Sequence, residues 1–222
     1  ALVNSSRRFR GNPLADGARS KLYRWMAYDG LPQQGRLWRY VDSRAEWDRR
    51  LERRYEEFKQ LALEAGIDRQ TFASSFDPES AVWTPVQLRS EFGTVEWRSP
   101  DTALPSSVVA LADSVAATIE GIRDAEVRIE GETGRVTEDQ TVLPEFNHVL
   151  AFVNAAIRDG LAAEPLCGYL ERMGFDVPAF DPISRQHDNL GPMSKAEARE
   201  RRLTYAEKLE EDVTEATSIA AD

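Results

Sequence analysis

Gly93-Thr94-Val95-Glu96-Trp97-Arg98-Ser99-Pro100-Asp101 alternates polar and apolar residues and then stops at a proline. That period of two is the mark of a strand with Thr94, Glu96 and Arg98 on one face and Val95 and Trp97 on the other. Strand character extends back to Val86, so the reading is one extended stretch from Val86 to Ser99, with Val95 and Trp97 anchored in a core. Pro100 and Pro105 bracket a turn, Ser106 or Ser107 is placed to cap a helix, and the run from Ser107 to Ile119 carries Val108, Val109, Leu111, Ala112, Val115, Ala116 and Ile119. That helix is expected to be well buried. Strand, proline turn and apolar helix, without a βαβ rhythm elsewhere, indicate an α+β chain.

Upstream, the first 42 residues are irregular, punctuated by Gly11-Asn12-Pro13, Asp16-Gly17, Asp29-Gly30-Leu31-Pro32 and Gln34-Gly35, with room for two helical turns between Ser20 and Ala27. Ser43 followed by Glu46 predicts a capping box. The helix it opens puts Trp47, Leu51, Tyr55, Phe58, Leu61, Ala62 and Ala65 on one face and ends at Gly66. Its Arg- and Glu-rich face reads as solvated. Downstream, Glu126–Glu130 and Arg135–Thr137 suggest a hairpin across Glu132-Thr133-Gly134. Helices follow at about Pro144 to Leu161, burying Phe146, Val149, Leu150, Val153 and Ile157, and near Glu164 to Met173. Ser194 and Glu197 form a second capping-box pattern opening a last amphipathic helix, which is expected to pack on the body or on a partner subunit. A homo-oligomer is therefore one option. The domain division expected is 1–173 for the body and 174–222 for a loop and helical tail.

Composition narrows the chemistry. The 222 residues carry 38 acids and 28 bases, a net charge of −10, which argues against nucleic acid and anionic membrane as partners. Arg outnumbers Lys 24 to 4; a GC-rich genome and adaptation to a salty cytoplasm both give that bias. No apolar run reaches the roughly 20 residues of a membrane span. One cysteine, Cys167, excludes a disulfide framework and a thiolate zinc site, and reads as a small buried hydrophobe. His148 reads as a boundary residue and His187 as a loop residue. Trp25, Trp38, Trp47 and Trp83 read as core and loop anchors. Carboxylates, arginines and hydroxyls are left to carry any reaction.

Glu96 and Arg98 are the candidates. Two apart on a strand, their Cα atoms lie about 6–7 Å from each other. A hard carboxylate beside a forked guanidinium suits Mg²⁺ plus phosphate; the same spacing also gives an ordinary surface ion pair worth under about 1 kcal/mol. Asp101 is positioned to add a second acid or to cap the next helix.

The segment from Phe92 to Thr102 resembles the strand of the carboxylate–amine ligases of the glutamate–cysteine ligase type, which carry Gly-Thr-(Val/Ile)-Glu-x-Arg, then Asp-Thr, then a helix rich in Ala and Val. Asn4-Ser5-Ser6, with Gly11 and Asp16-Gly17 after it, is similar to that family's Asn-Ser stretch and glycine loop. Arg89 stands where the family has an Arg-Pro, with Ser90 in place of the proline, and Arg158-Asp159-Gly160-Leu161 is similar to a later Arg-x-Gly-Leu element. The resemblance spans about residues 1–165. It implies a glutamine-synthetase-like fold, an antiparallel sheet backed by helices, with a cytoplasmic ligase activity of glutathione biosynthesis. ATP and Mg²⁺ would activate the γ-carboxylate of glutamate as an acyl phosphate, and the amine of cysteine would displace phosphate. Glu96 maps onto the metal-binding Glu and Arg98 onto the phosphate-contacting Arg; Arg89, Asn4, Ser5, Ser6 and Asp101 would line the substrate and nucleotide side. The Gly-x-Glu-Glu-Glu pattern that opens such enzymes is absent here. The chain is therefore expected to be the C-terminal portion of a longer enzyme, incomplete as a catalyst by itself. A different amine substrate, or a non-catalytic helical subunit in which Glu96–Arg98 is structural, are the competing expectations.

Overall fold

The computed structural model describes residues 7–27, 30–180 and 191–219; Asn4, Ser5, Ser6 and His187 lie outside them. In chain order the elements are β1 (Arg8–Phe9), β2 (Asn12–Pro13), α1 (Ala18–Lys21) leading into a π-helical turn at Leu22–Met26, α2 (Arg44–Glu64), α3 (Arg69–Ser75), α4 (Pro78–Ala81), β3 (Val86–Arg89) and β4 (Thr94–Trp97). Then come α5 (Pro105–Asp124), β5 (Glu126–Ile129), β6 (Arg135–Val136), β7 (Gln140–Leu143), α6 (Phe146–Asp159), α7 (Glu164–Arg172) and α8 (Lys195–Ile219). The chain is α+β and mainly helical. The sheets are small and separate: two antiparallel pairs, β1–β2 and β3–β4, and one three-stranded sheet in the order β5-β7-β6. Two compact units emerge, one from residues 1–19 and 100–222, the other from 20–99.

In the 20–99 unit, α2 starts and stops as its sequence dictates. The Ser43 hydroxyl accepts from the Glu46 amide at 3.2 Å. The return arm goes one residue further back than expected, the Glu46 carboxylate accepting from the Asp42 amide at 3.1 Å. Gly66, at φ +94°, closes a Schellman stop, with Ile67 N–H on the Ala62 carbonyl and Gly66 N–H on the Leu63 carbonyl, both at 3.0 Å. The charged face is tied by Arg44–Asp48, Arg50–Glu46, Arg54–Glu57 and Lys59–Glu56 pairs. Its apolar face meets α3 through Phe72, which is 1% exposed and ringed by Tyr55, Phe58 and Phe76 at 5.2–5.6 Å. Burying a ring of that size contributes about 1.5–3 kcal/mol. The Tyr55 hydroxyl donates to the Phe76 carbonyl at 2.9 Å.

The stretch from Val86 to Ser99 is not one strand. It is a hairpin, Arg89 opposite Thr94 and Val86 opposite Trp97, because Ser90–Gly93 turn the chain and Gly93 adopts φ +61°, which favours glycine. The hairpin is also faced the other way from the expectation. Gln87 on the polar face is wholly buried, while Val95 and Trp97 are 61% and 44% exposed. Gln87 is buried at little cost because the Thr84 hydroxyl donates to its side-chain oxygen at 3.1 Å.

In the other unit, a core of Leu111, Leu161, Leu166, Val177 and Phe180 is flanked by Phe152 and Tyr169, whose rings stack at 4.7 Å. Burial shifts the Tyr169 hydroxyl above its ordinary pKa. Helix α5 is less buried than its composition suggests. Only Leu111 is buried, and Val108, Val109 and Ile119 are about half exposed. Neither Ser106 nor Ser107 caps it; Leu104 is the N-cap, and the Ser106 amide and hydroxyl both donate to Asp212 on α8. Helix α8 opens with the reciprocal box expected, Glu197 N–H on the Ser194 hydroxyl and Ser194 N–H on the Glu197 carboxylate. In α6 only Ile157 is fully buried, and Phe146, Val149, Leu150 and Val153 are half-buried.

The expected hairpin of residues 126–137 does not form. Strands β5 and β6 both pair with β7, β5 in parallel and β6 antiparallel. The reason is pairing to a third strand that neither local pattern announces. Cys167 is half-buried, its thiol near the Leu161 carbonyl at 3.0 Å, and His148 is half-buried on α6.

Candidate functional site

Register decides which side chains meet on the hairpin. Gln87 pairs with Glu96 and Arg89 with Thr94, so Gln87, Arg89, Thr94, Glu96 and Arg98 share a face. Arg98 continues the ladder beyond β4, its amide donating to the Pro85 carbonyl at 2.8 Å. Its guanidinium donates to the Glu96 carboxylate at 3.1 Å and to the Glu79 carbonyl at 3.4 Å. The Arg98 side chain is only 12% exposed, whereas that of Glu96 is 45% exposed. The arrangement is a held cation beside a reachable carboxylate.

Arg89 joins them from the opposite strand. Its Nε lies 3.7 Å from the Glu96 carboxylate and 3.7 Å from the Glu79 carboxylate. Two guanidiniums therefore flank Glu96. The turn that makes this possible is itself fastened: the Ser90 amide donates to Glu79 at 3.0 Å, and Arg44 donates to the Ser90 hydroxyl at 2.7 Å. Hydrogen bonds from Ser90, its hydroxyl first and its amide second, hold the Glu79 carboxyl below its ordinary pKa range, with Arg89 adding to the effect against partial desolvation.

Glu79 is the residue the sequence reading missed. Its signal was local: Asp77-Pro78-Glu79-Ser80 is an N-terminal helix signature. The Asp77 side chain accepts from the Ser80 amide at 3.0 Å and the Ser80 hydroxyl accepts from the Asp77 amide at 3.2 Å. That box fixes α4 and puts Glu79 over the hairpin.

Asp101 does not cap α5. Its carboxylate accepts from the adjacent Thr102 amide at 2.8 Å, and it belongs to the unit that also contains the two glycine-bearing elements of the resemblance. Those two elements meet. Gly17 N–H donates to the Ile157 carbonyl at 2.8 Å and Asp16 N–H to the Arg158 carbonyl at 3.4 Å. Gly160 adopts φ +57°, and a Cβ there would lie 2.7 Å from an Asp16 carboxylate oxygen. Asp16, 6% exposed, is ion-paired to Arg7.

The donors on the hairpin are two guanidiniums and one accessible carboxylate. Among the described residues, no three His, Cys, Asp or Glu side chains converge as a metal site, and no helix is long and apolar enough to cross a membrane. The set suits a phosphate-bearing ligand: arginines present planar paired donors to its oxygens, and Glu96 can offer one oxygen to an accompanying cation. A groove of about 660 Å³ in the same unit, whose lining includes Leu31, Arg53, Phe58, Gln60, Leu61 and Val82, does not include these residues. In comparisons with family models, curated proteins and solved structures, the chain matches none.

Proposed function

We propose that the chain is part of an ATP- and Mg²⁺-dependent carboxylate–amine ligase of the glutamate–cysteine ligase type, with a glutamine-synthetase-like fold, working in the cytoplasm. The observation that carries the reading is the gathering of Arg89, Glu96 and Arg98 on one face of the hairpin. Glu96 and Arg98 bear the strand motif of the resemblance; Arg89, separate from them in sequence, is 3.7 Å from Glu96. The contact of Asp16-Gly17 with Ile157–Gly160 adds support, since both elements belong to the same resemblance.

A carboxylate is a poor acylating agent until one oxygen becomes a phosphate leaving group. Making the acyl phosphate of glutamate requires negative charge to be neutralised while the phosphoryl group moves between oxygens. In this reading Arg98, fixed by the Glu79 carbonyl, and Arg89 donate to phosphoryl oxygens. Glu96 would offer one carboxylate oxygen to Mg²⁺, and the metal would supply charge neutralisation on the phosphates. Cysteine is the proposed amine; another amine is the first alternative.

The test is ADP release by purified protein from the full open reading frame, with Mg²⁺, ATP and glutamate, plus and minus cysteine. Release that depends on cysteine supports the ligase, and release that depends on another amine reassigns the substrate. A folded protein inert with every amine contradicts the reading. The structural alternative, in which Glu96–Arg98 only ties the strand, has its own support in the 3.1 Å contact between the two side chains. It requires that Glu96→Gln leave Mg²⁺-dependent nucleotide binding unchanged.

A further inference from the structure

Strand β5 is an open edge of its sheet. In the order β5-β7-β6 it pairs with β7 alone among the described residues. The Glu126 and Glu130 amides donate inward, to the Asp139 and Leu143 carbonyls at 3.1 and 2.9 Å. Backbone direction alternates along a strand, so the amides and carbonyls of Val127 and Ile129 face the open edge. Both faces of the strand are clear as well. Val127 and Ile129 are about half exposed on one, and the Glu126 and Arg128 side chains are more than half exposed on the other.

Such an edge is a template for another strand, and its charges say which one. Ala125-Glu126-Val127-Arg128-Ile129 is complementary to itself when two copies run antiparallel about Val127. Glu126 of each copy then falls opposite Arg128 of the other, Val127 opposite Val127, and Ile129 opposite Ala125, whose backbone is still extended. The outward Val127 amides and carbonyls bond one another. The 2.9 Å Glu126–Arg128 pair within each strand merges with its copy into a cluster of alternating charge. Centring the pair on Arg128 instead sets arginine against arginine and Glu126 against Glu130, which is destabilising. Centring it on Ile129 brings Val127 against Gly131, which leaves the extended region at φ +67°.

We infer that β5 pairs with β5 of a second copy, antiparallel about Val127, joining the two sheets into one across a two-fold axis. The dimer is independent of the ligase reading. Its contact is short, so the dissociation constant should be on the order of 100 µM.

Sedimentation equilibrium of the purified chain tests this. Wild type should dimerise with that affinity. Glu126→Arg and Arg128→Glu each set like charges opposite one another and should stay monomeric alone, with wild-type circular dichroism. Mixed in equal amounts they should form a heterodimer, because positions 126 and 128 of one then carry the charge opposite to those of the other. Mixing cannot restore an ion pair within one strand. Amide exchange of the wild type gives a second readout: Val127 and Ile129 should gain protection several-fold between about 10 µM and about 1 mM, on either side of the expected constant, while Glu126 and Glu130 do not change. A wild-type chain still monomeric at the higher concentration overturns the inference. So does either variant dimerising alone, a mixture no more dimeric than its components, or Val127 and Ile129 exchange that ignores concentration.

Discussion

Among the described residues, Glu-x-Arg occurs on strands at β4, running one residue past its end, and within β5, and its setting differs between the two. On β4, Glu96 and Arg98 form an ion pair whose arginine is 12% exposed, joined by a second arginine and a second carboxylate. On β5, Glu126 and Arg128 also pair, at 2.9 Å, but both side chains are more than half exposed, and Gln140 donates to Glu126 at 3.4 Å. Spacing alone makes a same-face pair in either case. What distinguishes the β4 pair is the hairpin register that adds Arg89 and the helix turn that adds Glu79. The β5 pair is thus an internal control for the β4 pair.

The largest effect should come from breaking the fixed cation. On the proposed ligase reading, Arg98→Ala should lower turnover by at least about 100-fold, the usual scale for removing one preorganised donor to developing charge. Arg128→Ala should stay within two-fold of wild type. Arg98→Lys should still lose about ten-fold or more, since an ammonium lacks the planar fork; steady-state rates of all three check this. Equal losses at both pairs would dissolve the contrast.

Acid should sharpen the comparison next. Hydrogen bonds from Ser90 lower the Glu79 pKa, and the bond from Arg128 lowers that of Glu126. A carboxyl with a depressed folded pKa binds fewer protons folded than unfolded, so its stabilisation is present above the ordinary carboxylate range and is lost as pH falls through the folded value. Solvent screening discounts Glu126, which is more than half exposed. Urea midpoints measured between about pH 5 and pH 3 should therefore fall less steeply in Glu79→Gln than in wild type, while Glu126→Gln should track wild type. Parallel slopes for Glu79→Gln and wild type would contradict the anchoring of the turn.

The smallest effect concerns the outward face. Val95 is 61% exposed, so Val95→Thr should change unfolding free energy by no more than about 0.5 kcal/mol. A loss of about 2 kcal/mol or more would mean that this face is covered in the working protein.

Legibility in the sequence followed locality. The capping residues Ser43 and Ser194, the Gly66 stop and the α7 span were readable because each depends on neighbours within a turn. The Val86–Ser99 hairpin was not, since its turn signal reduces to Gly93 inside an otherwise strand-like run. Which face of that hairpin is covered depends on Gln87 meeting Thr84, and no periodicity reports it. The β5–β7 parallel pairing is likewise non-local. Of the candidate site, Glu96 and Arg98 were visible from spacing, and Arg89 only through the family resemblance. Glu79 was hidden because its partner Arg98 is 19 residues away and the contact runs through a backbone carbonyl.

The central claim is that the Glu96 face binds a metal–nucleotide and the Glu126 face does not. Calorimetric titration of Mg-ATP into wild type, Glu96→Gln and Glu126→Gln tests it most directly. Binding by wild type and Glu126→Gln with equal affinity, reduced at least ten-fold in a folded Glu96→Gln, is the predicted result. Undiminished binding by Glu96→Gln, or none by the wild-type protein, would contradict it.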